Sequence, residues 1–216
     1  MLFVYPQIAA NIAFPKISKE MKNFFKVAMA IMIASTLSSC GYNSMVDYSA
    51  SIDQKWANVQ SQYQRRADLL PSIIEIAKQY AKYEQETLTK VIEARSKATS
   101  LNLTVDDLTP ENMAKFQAAQ GELKSSMSRL LANFERYPDL KANEGFLNAQ
   151  AEFAGTENRI AFARDEFNAS VKNYNAYIRK FPQIIVSSIT GFKKKGYFEA
   201  DAGTEKAPNA KDLFKD

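Results

Sequence analysis

The chain has 216 residues, 28 basic against 24 acidic, a formal net charge of +4, one cysteine and no histidine. Without histidine it lacks the commonest metal ligand and the commonest general base, so Ser-His-Asp and Cys-His catalysis and histidine-based zinc sites are excluded. A lone cysteine cannot close an internal disulfide, and among the seven glycines there is no phosphate-cradling GxxxxGK[ST] loop.

Residues 1–20 hold Pro6 and Pro15, show no helical period, and read as a start-site artefact or an extra leader. From Met21 the pattern becomes specific. Lys22 and Lys26 precede an uncharged run from Val27 to Leu37, and small residues follow at Ser38 and Ser39 before Cys40. A basic start, an apolar stretch and a small-residue cut site make an export signal over 21–39. At ~1.5 Å per residue the stretch covers roughly 16 Å, too short for a bilayer core of about 30 Å. Leu37-Ser38-Ser39-Cys40 resembles a bacterial lipobox, in which signal removal leaves the cysteine as an N-terminus acylated with fatty acids such as palmitate. Two or three chains make a stable anchor where one is marginal. Removing residues 1–39 takes away four lysines and one acid, which lowers the net charge from +4 to +1. A nearly neutral mature chain argues against nucleic-acid binding, and its length suits one domain.

Four helical segments follow. The first is expected from about Asn43 to Ala67, with Met45, Ser49, Ile52, Trp56, Val59, Tyr63 and then Leu70 on one seam at helical spacing. Pro71 removes a backbone donor and suits a first turn, so a second helix is expected from there to about Thr99, with Ile73, Ala77, Tyr80, Leu88 and Val91 inward. One kinked helix is the alternative. Residues 100–110 read as a linker. Thr109 as N-cap and Pro110 at the first position then open a third helix to Tyr137, along Met113, Phe116, Gln120, Leu123, Met127, Leu130 and Phe134. The fourth is expected from Asn143 to Lys180. Phe146, Phe153, Ile160, Phe167, Tyr174 and Phe181 recur every seven residues, and the smaller Ala149, Thr156, Ala163 and Ser170 lie between them. Large and small rows interdigitate between facing helices. Ile184-Ile185-Val186 is expected to fold back on the bundle. Residues 191–216, with Lys193-Lys194-Lys195, are expected to be a mobile polar tail. The fold class is all-α: an antiparallel four-helix bundle over 40–190, preceded by a signal peptide and followed by a flexible tail.

Several stretches resemble LemA family proteins. They are Tyr42-Asn43-Ser44-Met45-Val46 and Trp56-Ala57-Asn58-Val59-Gln60, then Gln62 through Pro71, Gln120-Gly121-Glu122-Leu123 and Tyr137 through Asn143. Gly155-Thr156-Glu157-Asn158-Arg159-Ile160, Tyr174-Asn175 through Phe181-Pro182, and Tyr197-Phe198 continue the match, which runs from Tyr42 to Ala200. The resemblance implies a membrane-tethered four-helix bundle with no established reaction. Members commonly carry an N-terminal membrane helix, so a lipid on Cys40 departs from the pattern and leaves inner and outer membrane both open.

Polar residues on the apolar seams mark the candidate site. Arg66 follows Met45, Ile52 and Val59 by sevens, and a buried guanidinium must be paired. Asp68 and Glu75 are the nearest candidate partners; Gln120 lies on the third seam and Glu84 near the second. Arg65, Arg66, Asp68, Glu75 and Arg159 form the expected polar cluster. It either fixes register or offers a bidentate fork to a partner's carboxylate or phosphate. No catalytic, metal or cofactor residues are expected. The functional expectation is a non-enzymatic, lipid-anchored protein of the bacterial cell envelope, a helical scaffold that binds an envelope protein or a membrane surface. A small-ligand or lipid-binding module, using an aromatic core flanked by Tyr48, Tyr63 and Tyr80, is the first alternative, and an unrecognised enzyme the second.

Overall fold

Each apolar row of the sequence becomes the buried face of a helix. The computed structural model describes residues 19–80 and 85–200, the side chains at 30–40, 80 and 141 excepted. Its helices are α1 (Lys19–Tyr80), α2 (Gln85–Ser100), α3 (Pro110–Phe134), α4 (Pro138–Lys141), α5 (Glu144–Tyr177) and α6 (Gln183–Thr190), with one 3-10 turn at Val105–Asp107. The expected all-α class holds: among the described residues there is no strand. Residues 1–18, the side chains of the Leu37–Cys40 motif, Glu84 and residues 201–216 lie outside the described residues. The segment expected as a signal is the N-terminal part of α1, and among the described residues no helix is long and apolar enough to cross a membrane.

The expected break at Pro71 is absent. α1 runs through it. Proline has no N–H for the carbonyl of Ala67, four residues back. Arg95 of α2 supplies a donor in its place, with its Nε 3.0 Å from the Ala67 oxygen. Leu70, Ile73, Ile74 and Ala77 are buried on both sides of the proline and hold the helix in line.

α1 and α5 run antiparallel along their lengths, since Ser51 meets Ser170, Lys55 meets Glu166 and Arg66 meets Glu157. α2 and α3 are likewise antiparallel, with Lys97 meeting Glu122 and Thr87 meeting Asn133. α3 starts as read from the sequence, with the Thr109 side chain accepting from the Asn112 amide at 3.2 Å ahead of Pro110. Asn143 caps α5 in the same way, accepting from the Phe146 amide at 2.9 Å.

The core has two ends. The distal one packs Leu70, Ile73 and Ala77 of α1 with Leu88 and Val91 of α2, Met127 and Leu130 of α3, and Phe146 and Phe153 of α5. The proximal one packs Met45, Ile52, Trp56 and Val59 of α1 with Met113 and Phe116 of α3, and Ile160, Phe167 and Tyr174 of α5. α2 contributes nothing to this second cluster, and the chain's C-terminal side closes it with Phe198.

Two expectations near that end are corrected. α5 stops at Tyr177, and Phe181 leaves the heptad row and is 82% exposed, since Pro182 after it has no N–H with which to continue the helix. The stretch 191–200 of the expected mobile tail is packed. Gly191, at φ 83°, caps α6 in the left-handed conformation that glycine adopts without strain. The chain then runs extended as a strap, residues 192–200, into the proximal core.

Candidate functional site

Arg66 is buried, 2% exposed, on the inner face of α1. Its partners are not Asp68 or Glu75, as expected from proximity, but residues of two other helices. Nη1 donates to Glu157 Oε1 of α5 at 2.8 Å, and Nη2 donates to the Gln120 side-chain oxygen of α3 at 2.7 Å and to its carbonyl at 3.2 Å. The guanidinium also lies 5.0 Å from the centre of the Tyr63 ring. A single side chain thus ties α1, α3 and α5, and Gln120 extends the tie to α2 by donating to the Ala98 carbonyl at 3.3 Å.

Glu157 is the outward end of this node and is also held by Lys124 at 2.9 Å. Burial alone would push its carboxyl up. The hydrogen bonds and charges of Lys124 and Arg66 outweigh this and hold it below the ordinary value of 4.5. A cavity of only about 40 Å³ lies between these side chains. The Arg66 Nη atoms are committed internally, and its Nε is buried without an acceptor. As it stands, the node ties four helices together and has no fork free for a ligand.

The other members of the expected cluster face elsewhere. Arg65 pairs with Glu152 of α5. Asp68 accepts from Gln64 at 2.7 Å, and Glu75 is exposed further along α1. Arg159 is exposed on α5, where it lines a groove of about 360 Å³ between α1 and α5 with Asn58, Gln62, Phe162 and Glu166. Phe162 is 67% exposed there. Tyr48 packs on Tyr177 at 4.9 Å, Tyr63 on Phe116 at 5.2 Å, and the side chain of Tyr80 lies outside the described residues.

Sequence reasoning missed the clamps on the strap. Three side-chain amides each exchange two hydrogen bonds with its backbone, as a neighbouring strand would. Asn175 binds Lys195, with both bonds at 2.9 Å; Asn168 binds Phe198, both at 2.9 Å; and Gln117 binds Glu199, at 2.8 and 3.1 Å. Lys195 turns its ammonium to the Val105 carbonyl at 2.8 Å, and the Gly196 amide donates to the Leu108 carbonyl at 2.7 Å. Phe198 enters the core against Trp56, Phe116 and Phe167, with the Arg164 guanidinium 4.8 Å from its ring centre. The Tyr174 hydroxyl donates to the Lys193 carbonyl at 3.0 Å, and burial, helped by the Asp106 charge, raises its pKa to about 12. The readable signal was the seven-residue spacing of Asn168 and Asn175 beside the Phe167–Tyr174 row.

Among the described residues no three cysteine or carboxylate side chains gather in a metal-holding group. The pattern of the LemA family matches residues 55–211. Over 180 residues the chain is 26% identical to a magnetosome protein, MamQ, of Magnetospirillum gryphiswaldense, covering 75% of this chain and 66% of that protein. It is 25% identical over 195 residues to MamQ 2 of Paramagnetospirillum magneticum, covering 79% and 72%. It is 30% identical over 123 residues to the protein LemA of Metamycoplasma hominis, covering 57% of this chain and 49% of that protein. The chain thus spans about two thirds of the MamQ relatives and about half of that LemA.

Proposed function

Because this chain belongs to the LemA family, a helical family without an established reaction, we propose that it is a non-enzymatic interaction module of the bacterial cell envelope, tethered to a membrane by fatty acyl chains on Cys40. One observation carries the reading: the proximal aromatic core is filled, and the charges of the Arg66 node are neutralised, by the chain itself. Phe198 fills the aromatic space at the proximal core, which weighs against a ligand enclosed there, and the cleft of about 480 Å³ beside Tyr63, Phe116 and Gln120 is open at the surface rather than enclosed. Glu157, the carboxylate of the node, is matched by two cations rather than set against a second acid, which weighs against the enzyme alternative. The anchor rests on the basic, apolar and small-residue order before Cys40.

The partner is an envelope protein that docks on the α1–α5 groove. There an exposed aromatic ring, Phe162, stands beside Arg159, the residue types that anchor protein interfaces. Crosslinking in intact membranes followed by mass spectrometry tests this. The expected result is a discrete protein adduct that disappears in Phe162→Ala and Arg159→Ala while the melting temperature is unchanged. Loss of the adduct only in variants that unfold, or an adduct indifferent to both substitutions, contradicts the assignment.

A further inference from the structure

α6 is a helix turned inside out. A helix on a protein surface puts its apolar stripe inward and its polar residues in water. Here the buried position is Ser187, whose hydroxyl is satisfied by the carbonyls of Ile178 and Ile184, both at 3.1 Å. The outward positions include Ile184, Ile185 and Ile189, 48%, 51% and 80% exposed, beside Ser188, Thr190 and Phe181. Only Val186 packs partly against the proximal core.

Along the chain, the flanks of this patch are basic. Between Glu166 and Glu199 there is no acidic residue, and six basic ones occur: Lys172, Arg179, Lys180, Lys193, Lys194 and Lys195. Lys195 is used internally, whereas Arg179 and Lys180 just before α6 and Lys193 and Lys194 just after it are exposed. The patch also lies beside the point of α1 next to the proposed anchor. Gly41, the residue after Cys40, is buried against α6, and a Cβ on it would meet Gln183 Cγ at 3.8 Å. Tyr42 packs edge-on against Phe192 at 5.7 Å.

We infer that α6 and its basic rim form a foot that lies on an anionic phospholipid surface, with Ile184, Ile185, Ile189 and Phe181 in the headgroup–acyl boundary. This rests on the proposed anchoring at Cys40, since the acylated residue would enter the bilayer immediately beside α6. The chemistry is that of an interfacial helix: isoleucine and phenylalanine enter the acyl boundary, lysine and arginine meet lipid phosphates, and tyrosines sit at headgroup depth. Two contacts hold the module where one would let it swivel. α5, which leads away from the foot, has 34 residues, so an upright bundle reaches about 50 Å from the membrane at ~1.5 Å per residue, its distal end clear of lipid.

The test uses the full-length chain in bacterial membranes, with photoreactive benzoyl-phenylalanine in place of Ile189 or, separately, of Glu135 at the distal end. After irradiation, peptide mass spectrometry looks for addition of a whole phospholipid. The expected result is a lipid adduct at position 189 at least tenfold above that at 135, reduced severalfold by Lys193→Glu with Lys194→Glu. A membrane-bound chain giving no lipid adduct at 189, a protein or self-adduct there instead, or an adduct indifferent to the charge reversals overturns the foot while leaving the anchor standing. A chain recovered in the soluble fraction overturns the anchor and the foot together.

Discussion

Arg66→Met replaces the most consequential buried charge with an apolar chain of similar length. Removing one partner of a fully buried ion pair costs about 3–5 kcal/mol, because the other charge is left bare. That figure is too high here. The Glu157 side chain is 28% exposed and keeps Lys124 at 2.9 Å, so it is not stranded. The side-chain oxygen and carbonyl of Gln120 each lose a donor at a buried position, worth ~1 kcal/mol apiece. Set against this, methionine relieves the desolvation of a guanidinium whose Nε has no acceptor. The expected net loss is about 1–2 kcal/mol, which lowers the melting temperature by ~2–8 °C in a domain of this size. Thermal melts of Arg66→Met, Glu157→Gln and the double variant measure it, and the cycle isolates the coupling. A coupling near zero, or a loss under ~0.5 kcal/mol, refutes the pin. A loss above ~4 kcal/mol refutes the claim that Lys124 keeps Glu157 neutralised.

Phe198→Ala empties the place that closes the proximal core and is expected to cost about 3–5 kcal/mol, read in chemical denaturation; a loss below ~1 kcal/mol would mean the strap is only laid on the surface. Gly196→Ala would put a Cβ 2.9 Å from the Pro110 nitrogen, and since backbone cannot yield as a side chain does, about 1–3 kcal/mol of overpacking is expected in the same assay. Glu157 titrates lower in the folded chain than in the unfolded one, so its contribution is complete above about 4.5 and is lost as pH falls through the lower folded value. In melts across that acid range Glu157→Gln should therefore flatten the decline; an unchanged pH profile would show that the carboxylate contributes no linkage.

Much of this architecture was legible because heptad spacing is a direct image of helix packing. All five residues from Phe146 to Tyr174 in the α5 row are buried, as are Met113 to Phe134 along α3. Arg66 was placed inward by the same arithmetic. Its partner was not legible, since local distance along the chain pointed to Asp68 and Glu75, whereas the antiparallel pairing of α1 with α5 brings up Glu157, 91 residues away. Pro71 misled for a related reason. Proline forbids a hydrogen bond locally, but the orphaned Ala67 carbonyl is satisfied by Arg95 from another helix. The strap escaped because extended chain clamped by side-chain amides has neither a period of 3.6 nor strand partners, and three consecutive lysines read as solvated. The family resemblance reaching Tyr197-Phe198, and the seven-residue spacing of Asn168 and Asn175, were the signs that order continued there.

The tether is tested most directly by mass spectrometry of the mature protein's N-terminus, taken from native membranes. The account predicts a chain that begins at Cys40 and carries two or three fatty acyl chains. An intact peptide spanning Ser39 and Cys40 in the mature protein, or an unmodified Cys40 thiol on a membrane-bound chain, would contradict it.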